Sequence, residues 1–147
     1  TDIYKDGGFN RLVNPIYDAE ALAKLLREEF GFTVTLEKNA TLDQMETTLS
    51  KFRDDINYGP NDQLFLFFAG HGLYYEKIKM GFLVASDSKV DDQNFKTYLS
   101  YNDLGSKYLK NINCNRIFVT LDACFAGSFF DNNEGCSFSP ALIMSSI

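Results

Sequence analysis

Two stretches constrain this chain more than any others: "QLFLFF" at residues 63–68 and "RIFVTLDAC" at 116–124. Each is a short, nearly unbroken apolar run rich in aromatic and β-branched residues, the pattern of a strand buried on both faces. Such strands belong to parallel sheets, and parallel strands need crossover connections of a dozen residues or more, usually helices. The sequence supplies them. In "NPIYDAEALAKLLREEFG", Ile16, Ala19, Leu22, Ala23, Leu26 and Phe30 share one helical face, with Asn14 to cap, Pro15 in the first turn and Gly31 at the end. A second helix starts at Thr41, whose spacing to Gln44 is that of a capping box, and carries Leu42, Met45, Leu49, Phe52 and Ile56 inward.

Shorter signals fill the gaps. "FTVTL" at 32–36 and "GFLVA" at 81–85 read as strands, and "ALIMSSI" at 141–147 as one more. A helix is expected from Ser100, with Asp103 three residues on and Leu104, Tyr108 and Leu109 facing inward. Strand and helix alternate without repeat or linker. The expectation is one α/β domain, a three-layer sandwich with a mainly parallel sheet.

Composition excludes several classes. The 147 residues suffice to bury roughly 70% of the unfolded surface. No apolar run approaches the roughly 18 residues of a membrane span, and the first ten residues lack the pattern of a signal peptide. With 14 Lys and Arg against 20 Asp and Glu, the net charge of -6 repels phosphate backbones and anionic lipids. Neither nucleic acid nor membrane is expected as a partner. Cys114, Cys124 and Cys136 are odd in number and form no C-x-x-C pair, which argues against a disulfide framework and a zinc site. A reducing, cytoplasmic setting follows as the expectation.

Functional groups in open α/β sheets gather beyond the carboxyl ends of the strands. Here two strong strands run into "AGHG" (69–72) and "DACFAG" (122–127). The first carries the chain's sole histidine, His71, between two glycines that permit a sharp turn and close approach. The second carries Cys124. Alone, either residue is more often structural; as a pair at two strand ends they form a thiol and a base for nucleophilic catalysis. Backbone N–H groups of Gly72 and Cys124 are the candidate donors for a developing oxyanion. Cys114 and Cys136 lack such a setting.

"FLFFAGHG", followed 53 residues after its histidine by the cysteine of "VTLDACFAGSFFD", resembles the caspase-like cysteine peptidases, whose histidine lies about 50 residues upstream of the cysteine. The acidic form Asp122-Ala123-Cys124-Phe125-Ala126-Gly127 is closer to metacaspases, paracaspases and bacterial caspase homologues than to animal caspases. Residues 12–34 also resemble that family's first-helix region, with its Asp-Ala pair at Asp18-Ala19. The resemblance spans about residues 12–145. It implies a caspase-like fold lacking its first strand and its small-subunit portion, so that substrate loops would come from a missing portion or companion chain. Ala69 stands where many metacaspases have serine.

The resemblance implies a cysteine endopeptidase with a Cys124–His71 dyad, acting on proteins or peptides with basic residues and needing no cofactor. Asp122, two residues before the nucleophile, and Asp18 are the expected substrate-binding acids, a pair that favours Arg over Lys. Calcium, which activates several metacaspases, has candidate ligands in Asp87, Asp103 and Asp131. Two alternatives stay open: a catalytically silent caspase-fold regulatory module, and an Asp-specific protease reading its substrate through Arg11. A regulatory partner in a defence or cell-death system is compatible with the family.

Overall fold

A computed structural model describes residues 1–55 and 57–124. Ile56 and the strand expected at 141–147 lie outside the described residues.

Helix α1 runs from Pro15 to Glu28. Its entry differs from expectation in one detail: the Asn14 side chain makes no capping bond, and the Asn14 carbonyl simply accepts the Asp18 N–H at 2.9 Å. Helix α2 spans Leu42–Asp54 and has the full capping box, Thr41 and Gln44 each satisfying the other's backbone N–H. A further orphan donor of its first turn, the Leu42 N–H, is taken by Asp87 Oδ1 at 2.9 Å.

Strands β1 (Leu64–Ala69) and β5 (Ile117–Asp122) pair in parallel, in register from Leu64–Ile117 to Ala69–Asp122. This is the expected α/β arrangement. Burial is uneven across the pair, however. Leu64, Leu66, Val119 and Leu121 enter the main core, whereas Phe65 stacks on Phe118 on the other face, and Phe118 remains 39% exposed.

A second sheet is antiparallel, where one mainly parallel sheet was expected. Its order is β2 (Gly72–Tyr75), β3 (Met80–Val84), β4 (Tyr98–Ser100). The connection 76–79 is too short for a crossover, so β2 and β3 can only form a hairpin. From β4 the chain enters a helical path as expected, Ser100 Oγ accepting the Asp103 N–H at 3.0 Å. That path is irregular: Tyr101–Asp103 is α-helical (α3), Leu104–Tyr108 forms π-type bonds and Leu109–Asn111 is a 3₁₀ turn. It buries Leu104, Tyr108 and Leu109 completely, with Tyr101 and Leu99 beside them.

The stretch 32–36 does not form the expected strand. Its exposure alternates residue by residue, as in extended chain, but it has no ladder partner. A cleft of about 920 Å³ lies along it, lined by Ala23 and Leu26 of α1, Val34, Leu36, and Leu66 and Phe68 of β1. Period-2 patterning makes a segment fit for a sheet; only a neighbour at about 4.8 Å makes it a strand. Phe30, expected to face inward, is 65% exposed at the end of α1. Among the described residues no helix is long and apolar enough to cross a membrane.

Leu121 is fully buried between the parallel pair and the α3 region. Leu121→Ala is expected to lower unfolding free energy by about 2–5 kcal/mol, read as a reduced urea midpoint at unchanged slope.

Candidate active site

β1 delivers the chain into Gly70-His71-Gly72 and β5 into Ala123-Cys124, so both turns leave from the same end of the parallel pair. The pairing extends one step past the strands: Gly70 N–H donates to the Asp122 carbonyl at 3.1 Å. Gly70 has φ +155, in the range that L side chains rarely adopt. Gly72 is required by proximity. A Cβ placed there would collide with the Cys124 carbonyl oxygen and lie 3.1 Å from Cys124 C and 3.2 Å from Cys124 N. The two turns therefore meet backbone to backbone, bringing His71 and Cys124 onto adjoining loops.

Gly72 also starts β2. Val84 N–H donates to the His71 carbonyl at 3.0 Å, which makes His71–Val84 the bonded pair and Gly72–Leu83 the non-bonded one. In such a pair the N–H points away from the partner strand, here away from β3.

The imidazole is held by a segment whose role the sequence did not signal. Residues 1–12 fold over the start of β2 and the end of β3. Asn10 carbonyl lies 2.8 Å from His71 Nε2. A carbonyl can only accept, so Nε2 donates this bond, and in the neutral ring Nδ1 is the nitrogen with the free lone pair. Tyr4 Oη accepts the His71 backbone N–H at 2.8 Å, and its ring lies 4.9 Å from the imidazole; Phe9 follows at 6.1 Å. Behind them stand Phe82, Val84 and Tyr98, a second apolar cluster separate from the main core. The segment is pinned along its length. The Thr1 amino group donates to Ala69 O at 2.6 Å, Asn39 Oδ1 accepts from Asp2 N and Ile3 N, and Lys5 N–H donates to Ser86 O at 2.7 Å.

Cys124 is exposed at its turn, while Cys114 is buried against the carbonyls of Asp62 and Arg116. Cys136 lies outside the described residues. Tyr101, fully buried, points its hydroxyl at the Cys124 carbonyl 3.5 Å away, and burial pushes that phenol well above its ordinary range.

The acids divide. Asp122 is half-buried at the last position of β5. The strand ends there, and the chain bends at Ala123 and turns at Cys124. Asp18 is exposed in the first turn of α1, where an acid also complements the helix dipole. Arg11 is exposed and directly follows Asn10, the residue that holds His71. Of the calcium candidates, two fall among the described residues. Asp87 is engaged by the Leu42 N–H, Asp103 lies at the start of α3, and Asp131 is outside the described residues. Among the described residues no three acidic, His or Cys side chains are grouped to hold a metal.

Gly72→Ala forces a methyl group into the Cys124 backbone. The expected cost is about 1–3 kcal/mol, measured by denaturant unfolding, with the perturbation in amide spectra concentrated at residues 70–73 and 122–124.

No curated protein matches the chain significantly. A match to the caspase domain covers residues 2–140, taking in both turns and the segment that holds His71. Nearly the whole sequence thus falls within one family description, and the chain belongs to the caspase-domain family of cysteine peptidases.

Proposed function

We propose that this chain is a cysteine endopeptidase in which Cys124 is the nucleophile and His71 the general base. The observation that carries the reading is the backbone contact between Gly72 and Cys124, which leaves the two reactive side chains on adjoining turns. His71 Nδ1 takes the Cys124 proton and the thiolate attacks the scissile carbonyl carbon, forming a C–S bond. The N–H groups of Gly72 and Cys124 receive the oxyanion. Its collapse expels the amine, which takes the imidazolium proton. Water then hydrolyses the thioester, releasing the acid and restoring the thiol. These steps require no cofactor.

The proposal extends to architecture. The chain is read as the large-subunit part of a caspase-like three-layer domain on the metacaspase and bacterial-homologue side, in a cytoplasmic setting.

Specificity is proposed for Arg, then Lys, with Asp122 as the pocket acid and Asp18 as its distal companion. A second reading is favoured by one observation: Arg11 sits exposed beside the residue holding His71, where a cation would attract an acidic substrate residue. A fluorogenic peptide library separates the two. Faster cleavage after Arg supports Asp122, and Asp122→Ala should then lower that rate by a factor of about 30. Preference for Asp assigns the pocket to Arg11.

Cys124→Ala and His71→Ala should each abolish cleavage with the fold intact. A peptidyl electrophile should label Cys124 stoichiometrically. Cleavage at near wild-type rate by either variant, or no labelling, leaves the chain a silent caspase-fold module. A divalent-ion chelator should not change the rate; a chelator-sensitive rate would return calcium to the account.

A further inference from the structure

Tyr4 touches His71 at two independent points, and neither is needed to bury a tyrosine. Its hydroxyl donates to the Thr1 carbonyl at 3.2 Å, which satisfies the phenol's own proton. The same oxygen accepts the His71 backbone N–H at 2.8 Å, a donor that would otherwise stand half-buried where the β2 ladder begins. It also fills the space beside Gly70, lying 3.0 Å from where a Cβ would be. The ring meets the imidazole at 4.9 Å and 40°, within the distance at which an aromatic face favours a cation.

We infer that Tyr4 is a positioning residue for His71, its hydroxyl locking the turn that carries the imidazole and its ring steadying the imidazolium formed during turnover. The inference deepens the peptidase reading and rests on it for its kinetic consequence. Tyr4 is itself immobilised: it is 8% exposed, flanked by the Asn39 bonds on one side and the Lys5–Ser86 bond on the other. Burial, the largest influence on its phenol, raises its ionisation above the ordinary range, so the hydroxyl stays intact at neutral pH.

Tyr98 provides the control. It lies in the same aromatic cluster, packs on Phe9 and Phe82, and its hydroxyl donates to the Lys89 carbonyl at 2.7 Å, away from His71. The experiment compares Tyr4→Phe, Tyr4→Leu and Tyr98→Phe in the complete protein, small-subunit portion included, by hydrogen exchange at the His71 amide and by steady-state cleavage of a fluorogenic peptide. Tyr4→Phe should speed His71 amide exchange about tenfold and lower kcat about tenfold at unchanged KM, the signature of lost transition-state positioning. Tyr4→Leu should lower kcat about a hundredfold. Tyr98→Phe should lose comparable thermal stability and move neither readout. An unchanged His71 amide in Tyr4→Phe, or equal effects from Tyr98→Phe, would overturn the inference. Should the complete wild-type protein, small-subunit portion included, cleave nothing, the peptidase reading fails, and amide exchange alone still decides whether Tyr4 positions His71.

Discussion

The parallel register between β1 and β5 is the constraint on which the rest depends. Because Ala69 pairs with Asp122, both strands finish level and their turns leave from one height. Residues 70–72 and 123–124 then have nowhere to go except against each other. Slipping the register by one residue would displace the turns by about 3.3 Å and present Leu64 and Leu66 to the wrong face. Core burial and site geometry are thus one requirement: the side chains that hold the pair in the main cluster also determine where Cys124 meets Gly72.

His71 depends on a different part of the molecule. Its turn opens the antiparallel sheet, and its ring is enclosed by residues 4–10 instead of by the main core. The Asn10 carbonyl selects the tautomer, the Tyr4 hydroxyl holds the backbone, and Phe82, Val84 and Tyr98 form the apolar wall behind. The site is therefore assembled from two clusters. The thiol comes from the parallel pair, while the base comes from that pair but is oriented by the N-terminal segment. Three backbone or side-chain anchors, at Ala69, Asn39 and Ser86, keep that segment in place.

Much of this was legible from the sequence, for local reasons. The Thr41–Gln44 capping box is a three-residue relation and appears as read. The apolar runs at 64–68 and 117–121 could only be strands of a sheet, and the Gly-flanked His71 and the turn at Cys124 were found by their position at the strand ends. The missed features all depend on pairing at a distance. Strand β4 is three residues long, too short for a period to register. The Asp87 carboxylate that accepts the Leu42 N–H stands 45 residues away from α2 in sequence. Tyr4, Phe9 and Asn10 carry no motif, and Asn10 acts through its carbonyl, which every residue type possesses.

The sequence by itself determined the helices α1 and α2, the two strong strands and the placing of His71 and Cys124 just past the strand ends, because periodicity, capping and glycine placement act within a few residues. Only the tertiary structure decided that β2, β3 and β4 form an antiparallel sheet, that 32–36 stays unpaired beside a cleft, and which groups enclose His71. Ladders and enclosures are properties of neighbours, and neighbours separated by 60 or more residues, as Tyr4 and His71 are, meet only after the chain has packed.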